Sequence, residues 1–221
     1  MIIAIDGTAS SGKSSASREL AKRLGFELIS TGSLYRAVTY KILFLNISKD
    51  DDSSILQMLK NLRIESINYA ENQMLYIDKV PISKAELSTP KVSARSAEIA
   101  VKGFVREFVR KIQREIASSC DNVIVEGRDI GSVVFPNADY KFFIDADLTT
   151  RALRRQKDYE LLGKKIGLQS IKEELQKRDE QDRHRELSPL IMTSDAILID
   201  TSKLSISQVV DEMLKKMEWK K

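Results

Sequence analysis

Gly7-Thr8-Ala9-Ser10-Ser11-Gly12-Lys13-Ser14 follows the apolar run Ile2-Ile3-Ala4-Ile5 and opens a helical pattern that runs from Ser14 to about Leu24. This is the glycine-rich phosphate loop, G-x-x-x-x-G-K-S, set between a strand and a helix, where the motif carries physical meaning. Gly7 and Gly12 permit backbone conformations that other residues avoid, so successive N–H groups can turn inward around a polyphosphate. The helix that starts there adds unpaired N–H groups and the positive end of its dipole. The stretch therefore predicts binding of a nucleoside triphosphate by Gly7, Thr8, Ala9, Ser10, Ser11, Gly12, Lys13, Ser14 and Ser15. Lys13 is expected to reach the β- and γ-phosphates, and the Ser14 hydroxyl to face Mg²⁺.

Working outward, Ile2–Ile5 reads as a short buried parallel strand. Gly25 closes the first helix, Glu27–Ile29 forms a second strand, and a helix follows to about Leu45 with Ser33 expected as its N-cap. Residues 46–90 differ in character. Leu62–Tyr69 and Gln73–Asp78 alternate around Ala70-Glu71-Asn72, which predicts a hairpin. Val92–Ala117 is expected to be one long helical stretch weakened at Gly103. Further strands are expected at Val123–Val125, Phe142–Ile144 and Ala196–Ile199. Helices are expected at Thr149–Leu162, Gln169–Glu186 and, capped by Ser205, up to Met217; Lys220-Lys221 reads as a frayed end. Strands alternating with helices predict an α/β fold, a doubly wound parallel five-stranded sheet of the P-loop NTPase type. The expected layout is a single domain over 1–221. Its core is 1–45, 91–150 and 187–221, with a small β-containing insert at about 46–90 and an Arg-rich helical lid at about 151–186.

A chain of 221 residues with 42% hydrophobic content can bury a sizeable core. No apolar run approaches the ~18 residues of a membrane span, and no basic, apolar leader precedes the first strand. One cysteine, Cys120, excludes an internal disulfide framework and suits a reducing cytoplasm, where it reads as a structural thiol. The formal net charge is +4, and residues 151–185 alone hold 11 Lys/Arg against 7 Asp/Glu, also +4. The basic excess is thus confined to one segment, which argues against nucleic acid as a partner and for small polyanions.

Three polar clusters fall where strands end, the ligand-binding edge of such sheets. Thr31-Gly32-Ser33-Leu34-Tyr35-Arg36 puts a guanidinium beside a helix N-terminus, an anion site. Glu126-Gly127-Arg128-Asp129 gathers three charges, one of which is expected to hold Mg²⁺ through water. Arg151, Arg154 and Arg155 share one helix face, and Arg178, Asp182 and Arg185, spaced i, i+4, i+7, are expected to share another. Two arginine faces around a Gly-containing connection read as a mobile lid over phosphates. His184, the only histidine, reads as surface, since phosphoryl transfer needs no histidine base. The Asn-Lys-x-Asp guanine-reading motif is absent, which excludes a signalling GTPase.

Together these motifs resemble the bacterial cytidylate kinases, nucleoside monophosphate kinases, from Ile3 to about Val210. The most specific stretches are Ser30–Arg36, Glu126–Pro136 and Arg178–Pro189. The resemblance implies transfer of a phosphoryl group from ATP to CMP or dCMP with Mg²⁺, giving ADP and CDP or dCDP, in pyrimidine nucleotide metabolism. It implies that Thr31 and Arg36 contact the acceptor, that Arg128 and Arg185 bind its phosphate, and that Arg178 and Asp182 hold its sugar. It implies that Arg106 and Asp129 read the base, and it suggests a cytoplasmic monomer. Lys13, Arg128, Arg151, Arg155 and Arg185 are the residues expected to act on the transferring charge. This chain departs from the family at Thr8, where proline is usual, and at Ser30, where aspartate is usual. It departs again at Ala97, near Ser93 and Ser96, in a serine pattern beside the base. The alternatives are a kinase of another acceptor (UMP, shikimate or dephospho-coenzyme A) or a non-catalytic ATP-binding regulator.

Overall fold

The computed structural model describes residues 1–69, 72–161 and 163–218. The expected turn at Ala70-Glu71, the helix end at Leu162 and the Lys220-Lys221 tail lie outside the described residues. Two compact units form, one from Met1–Phe26 with Ile124–Lys221 and one from Glu27–Val123.

Strands β1 (Ile2–Gly7), β2 (Glu27–Ser30), β6 (Val123–Glu126), β7 (Tyr140–Asp145) and β8 (Ile197–Asp200) make one five-stranded sheet in the order β2-β6-β1-β7-β8. β1 and β7 run parallel with Ile5 opposite Phe142, and β7 and β8 run parallel with Ile144 opposite Ile199. These strands are short runs of Ile, Val and Phe, residues that suit a sheet covered on both faces. Ile3, Ile5, Ile124 and Ile144 are fully buried. Truncating any one of them to Ala should cost about 2–5 kcal/mol.

The first unit also holds helices. α1 (Lys13–Leu24) buries Ala16, Leu20 and Ala21, and α9 (Ile206–Lys216) buries Val209, Val210 and Met213. Ser205 caps α9 as expected and, with Gln208, completes a capping box. α7 (Leu148–Leu161) and α8 (Leu168–His184) are highly charged helices whose few buried residues include Ala152, Ile171 and Leu175.

In the second unit, α2 (Thr31–Phe44) begins at Thr31, so Ser30 and not Ser33 is the N-cap residue. Ser33 lies inside the first turn, where its Oγ accepts from Arg36 Nη2 at 3.0 Å. α3 (Asp52–Asn61) is capped by Asp51. β3 (Ile64–Tyr69) and β4 (Asn72–Ile77) pair antiparallel, the expected hairpin. β5 (Val80–Ile82), too short for a periodic signal, adds a third strand beside β4. A capping box, Ser83 with Glu86, starts the four-residue α4 (Lys84–Leu87), another element absent from the sequence reading. The expected long helix is two: α5 (Pro90–Ile99) and α6 (Gly103–Ser118). Gly103 opens the second helix because Lys102 adopts extended backbone and serves as its N-cap residue.

Candidate active site

The phosphate loop begins where β1 crowds β7. A Cβ on Gly7 would sit 1.9 Å from the Ile144 carbonyl oxygen, so only glycine fits. Gly12, at φ +93, turns the chain left-handed into α1. Thr8 Oγ1 donates to Asp145 Oδ1 at 2.5 Å, and Ser11 Oγ donates to the Thr8 carbonyl at 3.0 Å. Lys13 Nζ donates to the same carbonyl at 2.7 Å, folding back over the loop. Burial first, and then the nearby Arg128 cation, pull the Lys13 ammonium down to about 7. A polyphosphate would offer this lysine the anionic partner that one carbonyl does not. Ser14 Oγ lies 3.1 Å from Glu126 Oε2, at the end of β6.

Beyond β6 the chain does not continue as strand. Ile130–Val134 forms one π-helical turn, a feature often found at functional sites. Asp6, the last residue of β1 before the loop, holds that turn: its carboxylate accepts from Ile130 N at 2.9 Å and Gly131 N at 2.7 Å. Burial raises Asp6 to about 6 despite those two N–H groups, and Asp129 adds to the rise. The turn delivers Arg128 and Asp129 to a charge cluster. Arg128 Nε donates to Asp182 Oδ2 at 2.9 Å. Arg185 lies 3.5 Å from Asp182 and 3.8 Å from the buried Asp129.

Arg185 does not share the α8 face with Arg178 and Asp182, as the i, i+7 spacing suggested. The helix ends at His184, and Arg185 adopts extended backbone at φ −63, ψ 140. Its Nε donates to the Ser188 carbonyl at 2.6 Å, and Leu190 N donates to the Asp182 carbonyl at 2.7 Å. The post-helix loop therefore folds back and returns Arg185 to the cluster. Arg178 is reached by water, yet protein crowds it. That crowding first, and the Arg128 cation second, lower its guanidinium from the ordinary value.

The three arginines of α7 separate by what they bond. Arg151 is buried: Nε donates to the Ala146 carbonyl at 3.0 Å, Nη1 to the Ala9 carbonyl at 3.1 Å and to Asp179. Arg154 Nη1 donates to the Ser11 carbonyl at 3.1 Å and to Thr201 Oγ1 at 2.9 Å. Arg155 instead lies over the Tyr159 ring, 4.5 Å from its centroid, and 3.8 Å from Glu174, in a half-buried setting.

In the second unit, Thr31 is buried and its Oγ1 accepts from Gln113 Nε2 at 2.7 Å. Arg36 reaches back along the first turn of α2 to Ser33. Arg106 is buried on α6, donates to the Ala100 carbonyl at 3.1 Å and lies 5.9 Å from the Tyr35 ring centroid. On α5, Ser96 is half-buried, whereas Ser93 and Ala97 are exposed.

Sequence reasoning missed Asp6, Gln113, Asp145, Asp179 and Thr201. Gln113 carried a signal, a polar residue seven positions from Arg106 on the otherwise apolar stripe of Val105, Val109 and Ile112. Asp179 carried none, since it sits in a run of charges, Lys177-Arg178-Asp179-Glu180, that reads as solvated. Cys120 is half-buried with its thiol pushed up by burial, and His184 is exposed; both match expectation.

A family model described as cytidylate kinase matches residues 3–219. The cytidylate kinase of Ligilactobacillus salivarius strain UCC118 is 37% identical over 216 residues, covering 98% of this chain and 96% of its own length. That of Thermotoga sp. strain RQ2 is 40% identical over 216 residues, covering 96% and 94%. Among solved structures, a shikimate kinase from Bacteroides thetaiotaomicron shares the fold, with a TM-score of 0.50, 9% identity and 99% of each chain covered.

Proposed function

The chain belongs to the cytidylate kinase family, and we propose that it transfers the γ-phosphoryl group of ATP to the phosphate of CMP or dCMP, giving ADP and CDP or dCDP. The observation that carries this reading is the cluster of Arg128, Asp129, Asp182 and Arg185, gathered in the same unit as the phosphate loop.

An acceptor phosphate oxygen attacks the γ-phosphorus. The new O–P bond forms as the bond to the β–γ bridging oxygen breaks, and ADP leaves with that oxygen. The attacking oxygen is already anionic, so no general base is needed, and rate comes from alignment and charge neutralisation. Lys13 leaves the Thr8 carbonyl for the β- and γ-phosphates. Arg155, Arg128 and Arg185 neutralise charge on the transferring group and the acceptor phosphate. Arg178 and Asp182 hold the sugar, and Thr31 and Arg36 contact the acceptor nucleotide. Asp129 accepts from the N4 amine of cytosine and Arg106 donates to O2 and N3; uracil would face Asp129 with a carbonyl, an unmatched acceptor.

The Ser14 hydroxyl and the Glu126 carboxylate, 3.1 Å apart, are two hard oxygen donors that would hold Mg²⁺, the carboxylate through water. When bound, the ion neutralises charge on the β- and γ-phosphates. Residues 46–90 act as the acceptor-side insert and 151–186 as the lid. The protein works as a cytoplasmic monomer on small molecules, without nucleic acid or membrane. No described helix is long and apolar enough to cross a membrane.

Incubation with ATP, Mg²⁺ and CMP, followed by chromatographic separation of nucleotides, should give ADP and CDP in equal amounts. ADP without CDP, or neither, would contradict the reading.

A further inference from the structure

The outer wall of the phosphate loop is held by the two helices that carry the lid arginines. Ala9 N donates to Asp179 Oδ1 at 3.1 Å, and the Ala9 carbonyl accepts from Arg151 Nη1 at 3.1 Å. The same guanidinium pairs with the other oxygen of Asp179, and both side chains are at most 10% exposed. The Ala9 methyl packs into an apolar cluster with Ala152 of α7 and with Ile171 and Leu175 of α8. One residue of the loop is thus fixed at its N–H, its carbonyl and its side chain by a single helix pair.

The next residue explains why such fixing is needed. Ser10 has φ +58, a left-handed conformation that a residue with a side chain resists. Strain of this kind persists only where the surroundings over-determine it. On the far side of Ser10, the Ser11 carbonyl accepts from Arg154 Nη1 at 3.1 Å and from Thr201 Oγ1 at 2.8 Å. The strained peptide is therefore clamped at both ends. Released from Asp179 and Arg151, it would relax toward negative φ. The Ala9 carbonyl, now held by Arg151, would be free to turn toward the phosphates.

We propose that Asp179 and Arg151 form a positioning pair that holds the phosphate loop in its ATP-accepting conformation. Arg151 acts through the loop backbone, and the charge on the transferring phosphoryl group is left to Lys13 and the more open arginines. Asp179 enters the reaction without touching a substrate. This rests on Gly7–Ser14 being the ATP cradle.

Binding of a fluorescent ATP analogue separates the two ideas. Wild-type protein that does not bind the analogue overturns both. If wild type binds, Asp179→Asn should weaken binding and raise KM for ATP at least tenfold, with KM for CMP within about threefold. Equal rises in both KM values would mark a general loss of structure and overturn the positioning role. The double variant Asp179→Leu/Arg151→Met removes both buried charges together, a replacement that often leaves stability intact. It should melt close to wild type and still bind the analogue at least tenfold more weakly. A folded double variant with wild-type ATP affinity would overturn the proposal while leaving the phosphate loop reading in place. Should the double variant not fold, the KM split in Asp179→Asn decides alone.

Discussion

Arg151 and Arg155 lie one turn apart on α7 and meet opposite surroundings. Arg151 is buried, with its hydrogen bonds spent on two carbonyls and Asp179. Arg155 is half-buried, leaning on Tyr159 and 3.8 Å from Glu174, a geometry a phosphate can compete with. The two guanidiniums leave neighbouring turns of one helix face, yet Arg151 is bonded to the backbone of the loop at Ala9 and Arg155 to an aromatic ring and a carboxylate at the surface. An arginine near phosphates is therefore not one kind of residue, and what its guanidinium already holds decides its role.

The hardest break of that division comes at the loop itself. Lys13→Ala should lower kcat by about 10³-fold, the scale of losing a charge-stabilising donor, with an unchanged circular dichroism spectrum. Near-normal turnover would remove the loop from the mechanism. Asp129→Asn comes next: its amide can donate to uracil, so the preference for CMP over UMP should narrow by about 10²-fold in kcat/KM. An unchanged ratio would take base reading away from Asp129.

The two α7 arginines supply the direct contrast. Arg151→Met strands the buried Asp179 carboxylate, a loss of about 3–5 kcal/mol, so the melting temperature should fall by about 10 °C. Arg155→Met should leave the melting temperature nearly unchanged and lower kcat by about tenfold or more. Identical behaviour of the two variants would erase the division between the buried and the open arginine.

The smallest effect concerns pH. Lys13 sits at about 7 against an ordinary 10.5, so the unfolded chain binds more protons between those values. The stability cost of this lysine is full below pH 7 and shrinks as pH rises from about 7 toward 10.5. Lys13→Met should therefore raise the melting temperature more at pH 6 than at pH 9. A pH-independent difference would show that Lys13 stays charged in the folded protein.

Much of the fold was legible because β1, β6, β7 and β8 are apolar runs bounded by turn residues, and because Gly25 and Ser205 mark helix ends. The α5–α6 break was half legible: Gly103 gave its place, but the extended Lys102 that makes it a helix start has no sequence signature. The π-helical turn after β6 was not legible, since it depends on Asp6, more than a hundred residues away, accepting two N–H groups. The candidate site divided the same way. Lys13, Ser14, Arg128 and Asp129 stood in local motifs. Asp179, Thr201 and Gln113 act through distant partners, and a charge or a polar side chain does not announce in sequence what it will bond. Arg185 meets Asp182 as its spacing suggested, but from the residue after the helix, because a periodic pattern does not record where a helix stops.

The most direct measurement is ADP release from ATP–Mg²⁺ with CMP, dCMP, UMP and AMP assayed in parallel. Fast turnover with CMP and dCMP and slow turnover with UMP and AMP is the predicted result. Equal rates with UMP, or none with any of the four, would contradict the account of a cytosine-directed kinase.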